Sequence, residues 1–89
     1  MQTFTAGTVE SMDCMVTVKR APAGSGITIH LSGSSVARFA GAMEKKIRSV
    51  LEENRVQDLD LSVQDNGALD IVLGARVEAA LHRLEEAPK

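Results

Sequence analysis

The run Glu10-Ser11-Met12-Asp13 sets one hydroxyl between two carboxylates, immediately ahead of an alternating apolar segment. A serine becomes a nucleophile where an adjacent base takes its proton. No histidine lies within eight positions of Ser11, and Lys19 is the only lysine in that window. These residues point to Ser11 as the acceptor of a covalent group that another enzyme installs. Gly7, with Ala6 before it, would leave the preceding segment mobile and uncrowded. The plainer alternative is a solvated serine at a strand start that bonds only locally.

The rest of the chain offers little chemistry. His30 and His82 lie far apart and lack ligand partners at metal-binding spacing, so both read as surface residues and no metal site is expected. Glu78 and His82 form an i,i+4 pair without catalytic meaning. Cys14 is the only cysteine, which rules out an internal disulfide, and its place on an apolar face makes it an inert core thiol. Asp58, Asp60, Asp65 and Asp70 gather in one stretch, where a solvated rim explains them as well as a cation site does. The glycines match no phosphate-cradling motif.

With 89 residues, the chain reads as a single domain over 1–89. At 44% hydrophobic and 25% charged it has an ordinary globular composition. Phe4 and Phe39 are its only aromatics and its net charge is -2, which argues against nucleic-acid partners. No apolar run approaches a membrane span, and the start MQTFTAGT lacks the basic and apolar regions of a signal peptide, so a cytoplasmic protein is expected.

The elements that must position Ser11 follow from periodicity. Asp13 to Arg20 alternates as a strand, with Cys14, Val16 and Val18 on one face. Extending this strand backwards gives Ser11 the parity of Asp13 and points its hydroxyl to solvent. Ala21 to Gly26 reads as a turn, followed by a second strand, Ile27 to Leu31. Ser34 or Ser35 offers an N-cap to a helix carrying Val36, Phe39, Ala40, Met43, Ile47, Val50 and Leu51 and ending near Asn54.

Beyond it, Leu59, Leu61 and Val63, then Leu69, Ile71 and Leu73, alternate on either side of Asn66-Gly67, which predicts a second hairpin. A rival reading starts the last helix at Ala68; the hairpin is preferred, with a helix from about Ala75 to Glu86. The expected fold is α+β in ββαββα order: a four-stranded antiparallel sheet with both helices on its apolar face.

Three segments carry a family resemblance. AGTVESMD (Ala6–Asp13) resembles the attachment-site region of the acyl carrier (gamma) subunit of citrate lyase. DNGALDIVLGARVEAAL (Asp65–Leu81) is similar to that family's C-terminal portion in its Gly-Ala-Leu-Asp and Ala-Arg-x-Glu-Ala runs, and SSV (Ser34–Val36) also fits. The likeness covers most of the chain.

The resemblance implies a non-catalytic carrier serving citrate fermentation. Ser11 would hold phosphoribosyl-dephospho-coenzyme A through a phosphodiester, with Glu10, Asp13 and Gly7 as flanking recognition residues and a prosthetic-group transferase as the attaching partner. In that family an alpha subunit exchanges acetyl on the thiol for citrate, releasing acetate. A beta subunit then cleaves the citryl thioester to oxaloacetate and regenerates acetyl. Two alternatives stay open. One is the carrier subunit of malonate decarboxylase, which uses the same kind of group; the other is a small α+β interaction module whose wet sheet face binds a partner. Other carriers fit poorly. The phosphopantetheine bundle needs Asp-Ser-Leu at a helix start, and biotinyl and lipoyl domains need a lysine at a hairpin.

Overall fold

A computed structural model describes residues 2–88. It is an α+β fold, and its elements run β1 (Thr3–Gly7), β2 (Asp13–Arg20), β3 (Ile27–Gly33), α1 (Val36–Glu53), β4 (Leu59–Asn66) and α2 (Asp70–Glu86). The four strands form one sheet in the order β1-β2-β4-β3. β1 pairs antiparallel with β2, and β2 antiparallel with β4, but β3 runs parallel to β4. The sheet is therefore mixed and the element order is βββαβα, which corrects the expected all-antiparallel ββαββα arrangement.

The first expected hairpin is opened by an inserted strand. β2 and β3 do run antiparallel, but β4 lies between them, with Leu59 in register with Arg20 on one side and Ile27 on the other. The Ala21–Gly26 link crosses the start of β4, where the Asp58 carboxylate accepts the Gly26 N–H at 2.8 Å and the Gly26 carbonyl accepts the Leu59 N–H at 3.1 Å. A turn-forming segment fixes the direction of the strands it joins without making them neighbours. Burial explains which strand takes the centre. Leu59, Leu61 and Val63 are all buried, whereas Ile27, Ile29 and Leu31 are only partly covered, as suits an edge strand. β3, α1 and β4 make a parallel pair joined by a crossover helix.

The second expected hairpin is absent and the rival reading holds: α2 begins at Asp70. Gly67 does have a positive φ (88°), as the Asn-Gly signal required. The buried Asp65 carboxylate, however, accepts the N–H groups of Gly67 and Ala68, both at 3.1 Å, and turns the chain into a helix. Leu69 and Ile71, two of the three residues in the second strand-like run, are exposed.

Both helices cover one face of the sheet. Ile47 and Leu51 from α1 and Val77 and Leu81 from α2 pack with Cys14, Val16 and Val18 of β2 and with the β4 leucines in one core. The other face presents Met15, Thr17, His30 and Ser62 along an open surface. No helix among the described residues is long and apolar enough to cross a membrane.

Candidate functional site

Ser11 sits at the tip of a hairpin whose first strand, β1, carries weak sequence signal because Phe4 and Ala6 are its only large or buried apolar contributions. Residues 8–12 connect β1 to β2 and are all exposed. The strand does not extend backwards through Ser11, because Met12 adopts φ 64° and breaks the alternation. Glu10 to Asp13 forms a turn instead, closed by the Asp13 N–H to the Glu10 carbonyl at 3.1 Å. Positive φ at the third residue, Met12, is a geometry that glycine or asparagine usually supplies. Ser11, the second residue, is left at the apex.

The loop is held from three directions. The Arg76 Nε and Nη2 donate to the two Asp13 carboxylate oxygens at 3.0 and 2.9 Å, a bidentate pair joining the start of β2 to α2. The Thr8 hydroxyl donates to Asp13 Oδ2 at 2.7 Å, and the Cys14 N–H to Oδ1 at 2.7 Å. From β4, the Asn66 carbonyl accepts the Met12 N–H at 2.7 Å while the Asn66 amide donates to the Val9 carbonyl at 3.1 Å. Gly7 lies inside β1, opposite Met15, with φ 96°. A side chain there would collide with the Cys14 carbonyl oxygen. Gly7 thus lets two strands approach closely, and the mobile segment expected around it is instead paired backbone.

The electrostatics separate the two acids. Hydrogen bonds from Arg76, Thr8 and the Cys14 N–H hold the Asp13 carboxyl far below the usual carboxylate range, and the same pair raises Arg76. An acid held so firmly ionised is a poor proton acceptor. Glu10 is exposed beside Ser11, and among the described residues its carboxylate meets no cation. Cys14 is fully buried, and burial pushes its thiol up to about 11, as an inert core residue requires. Among the described residues the Ser11 hydroxyl joins none of the side-chain hydrogen bonds, whereas its neighbours do.

The remaining candidates are dispersed. Asp58 holds the β3 entry, Asp65 the entry to α2, Asp60 pairs with Lys19 at 3.8 Å and Asp70 with Lys46 at 3.6 Å. Among the described residues no group of three or more acidic, histidine or cysteine side chains could hold a metal ion. Thr8, Asn66 and Arg76 are the site residues that sequence reasoning missed. Arg76 stands 63 positions from Asp13, and only the fold joins them.

Among the described residues the arrangement is an exposed, unengaged hydroxyl on a tethered loop, with Asp13 locked to Arg76 and Glu10 left without a cation. No side-chain hydrogen bond among the described residues joins the Ser11 hydroxyl to a base. A family model described as ACP, malonate decarboxylase delta subunit (MdcD), matches residues 1–84. The chain is 39% identical over 82 residues to the citrate lyase acyl carrier protein of Halothermothrix orenii, covering 92% of this chain and 85% of that protein. The chain belongs to this family of acyl carrier proteins.

Two solved structures share the fold. A chain of a Pseudomonas malonate decarboxylase hetero-tetramer, solved with malonate, superposes with a TM-score of 0.72 at 19% identity, covering 94% of this chain and 99% of that one. The Staphylococcus aureus RNase P protein reaches 0.52 at 11% identity, over 91% of this chain and 82% of that one. Two such different proteins on one scaffold mean that function must be argued from the site.

Proposed function

We propose that this chain is the acyl carrier subunit of a citrate lyase, with Ser11 as the anchor of a covalent phosphoribosyl-dephospho-coenzyme A arm. The observation that carries the reading is Ser11 at the apex of a loop tied to both α2 and β4, its hydroxyl exposed and joined to no other side chain among the described residues. The residues present fit such a group. The acceptor is a primary hydroxyl, the flanking backbone is hydrogen-bonded to α2 and β4, and residues 8–12 are all exposed. When bound, the arm supplies a thiol that carries acetyl and citryl as thioesters.

The chain's own contribution is presentation. During attachment the Ser11 oxygen forms a bond to phosphorus and gives up its proton as a leaving group departs from that phosphorus. The base belongs to the transferase, since Asp13 is locked to Arg76 and no histidine neighbours Ser11 in sequence. Glu10 offers free charge for recognition by the transferase. Asp13 and Gly7 act by fixing the shape of the loop. The alpha and beta subunits would then address one rigid hairpin tip and a mobile arm.

The match to the malonate decarboxylase delta family model supports a second reading, in which the same Ser11 serves that decarboxylase. One reconstitution separates the two. The chain is loaded by a citrate lyase prosthetic-group transferase, its mass localised by fragmentation, and then combined with citrate lyase alpha and beta subunits. Added mass on the Ser11 peptide together with citrate cleavage supports the proposal. Loading without cleavage, with activity restored by malonate decarboxylase subunits, transfers the carrier to the second reading. Added mass elsewhere ends the assignment of Ser11.

A further inference from the structure

Between the start of α1 and the entry to α2 lies a groove of about 360 Å³, lined by Phe39, Ala42, Met43, Ala68, Leu69 and Leu73 among others. Its size falls in the range of small-molecule sites, roughly 300–1,000 Å³. The large hydrophobic side chains left exposed among the described residues are Val9, Met12, Phe39, Leu69 and Ile71. Val9 and Met12 belong to the acceptor loop, Phe39 and Leu69 line the groove, and Ile71 lies in the first turn of α2. Four of these five exposed apolar side chains therefore fall on the loop or the groove, and Ile71 alone lies outside both.

The two are joined through one residue. Gly67 lines the groove, and a side chain begun there would stand 3.9 Å from both Cα and N of Met12. Ser11 is one peptide further on, about 3.8 Å between Cα atoms. The attachment residue is thus on the order of 8 Å from the groove's near wall.

We propose that this groove is the resting site of the covalent arm, whose thiol end and short acyl group lie against Phe39, Leu69 and Leu73 between visits to the partner subunits. The inference rests on the reading of Ser11 as the anchor. Tethering makes weak apolar contacts sufficient. A flexible link, even one as long as this arm, gives an effective concentration of the order of millimolar. Contacts with a dissociation constant of roughly 0.1–1 mM would then keep the arm docked for about half to nine-tenths of the time. Apolar walls would also keep water from the thioester. A groove of this volume suits a chain of small-molecule width, whereas a stable protein partner covers about 800 Å² on each side.

The test compares amide and methyl NMR spectra of the isolated chain before and after loading, with intact and fragment mass confirming the group on Ser11. Docking should shift Ala42, Ala68, Leu69 and Leu73 as well as residues 8–13. Alkylation of the arm thiol by a neutral reagent supplies a second readout. Ala42→Arg, which fills the groove from an exposed helix position, should speed alkylation by about two- to tenfold. Phe39→Ala, which removes a wall without adding bulk, should act in the same direction if Ala42→Arg does not fold. Shifts confined to residues 8–13, with unchanged alkylation in the folded variants, overturn the inference while leaving Ser11 as the anchor. Groove shifts that appear only when a partner subunit is added also overturn it, and assign the groove to that subunit. Mass found on another residue overturns this inference and the anchor together.

Discussion

Arg76 of α2 grips both carboxylate oxygens of Asp13, at 3.0 and 2.9 Å, two residues beyond the exposed Ser11. The loop that carries Ser11 therefore takes its position from a helix near the other end of the sequence. The pair links the core to the site, since α2 is seated by Val77, Leu81 and Leu84 and carries Arg76 on the same turn as Val77.

This pair makes stability depend on acid. The folded-state pKa of Asp13 lies below its ordinary 3.8, so the stabilisation is complete above about pH 4 and is lost as pH falls through the lowered value. Arg76→Met should lower the melting temperature by several degrees at pH 6. The gap to the parent protein should shrink steadily below pH 4. A gap that stays constant down to pH 2 would show that the pair contributes packing alone. Arg76→Lys should recover only part of the loss, because an ammonium replaces the bidentate fork with a point charge.

A second dependence lies at the entry to α2. Asp65 is buried and accepts from the Gly67 and Ala68 N–H groups. Asp65→Ala leaves both donors unpaired and should cost about 1–3 kcal/mol by chemical denaturation. Asp65→Asn keeps one acceptor oxygen and should cost less. Equal losses for the two variants would mean that the packing of the side chain matters more than its bonds.

Gly7 offers a test confined to backbone geometry. Its positive φ and the carbonyl of Cys14 leave no room for a side chain. Gly7→Ala should destabilise by more than about 1 kcal/mol and should shift the amide resonances of residues 8–13. Wild-type stability with unshifted loop signals would contradict the close approach of β1 and β2.

Much of the fold was legible where one period dominated. β2 spans Asp13–Arg20 as its alternation implies, and α1 ends at Glu53 under an Asn54 cap. The errors arose where local pattern was ambiguous or the decisive contact was distant. Leu69, Ile71 and Leu73 alternate like a strand, yet Leu69 and Ile71 are surface residues and only Leu73 belongs to the helical stripe of Val77, Ala80, Leu81 and Leu84. The insertion of β4 between β2 and β3 leaves no mark on the link between them. Ser11 is exposed, as its neighbours implied, though in a turn rather than in an extended strand. Its supports were not legible, because Asn66 resembled a hairpin turn residue and Arg76 an ordinary charge on a helix.

The role of Ser11 is separable from the contacts that hold its loop. Ser11→Ala removes one exposed oxygen, so stability should stay within about ±0.5 kcal/mol, while transferase-dependent mass gain on this chain should disappear. Leu61→Ala should do the reverse, because Leu61 is fully buried in the central strand. It should cost roughly 2–5 kcal/mol yet leave folded molecules able to accept the group. Arg76→Met should fall between them. The hydroxyl remains, but a loosened loop meets the transferase in productive geometry less often, so the loading rate should drop while the final mass is unchanged. The experiment follows mass gain over time at saturating transferase donor, beside a denaturation curve for each variant. An Arg76→Met rate equal to the parent's would show that the transferase shapes the loop for itself. A Ser11→Ala chain that unfolds would make the serine a structural residue. One that still gains the mass would move the anchor to another side chain.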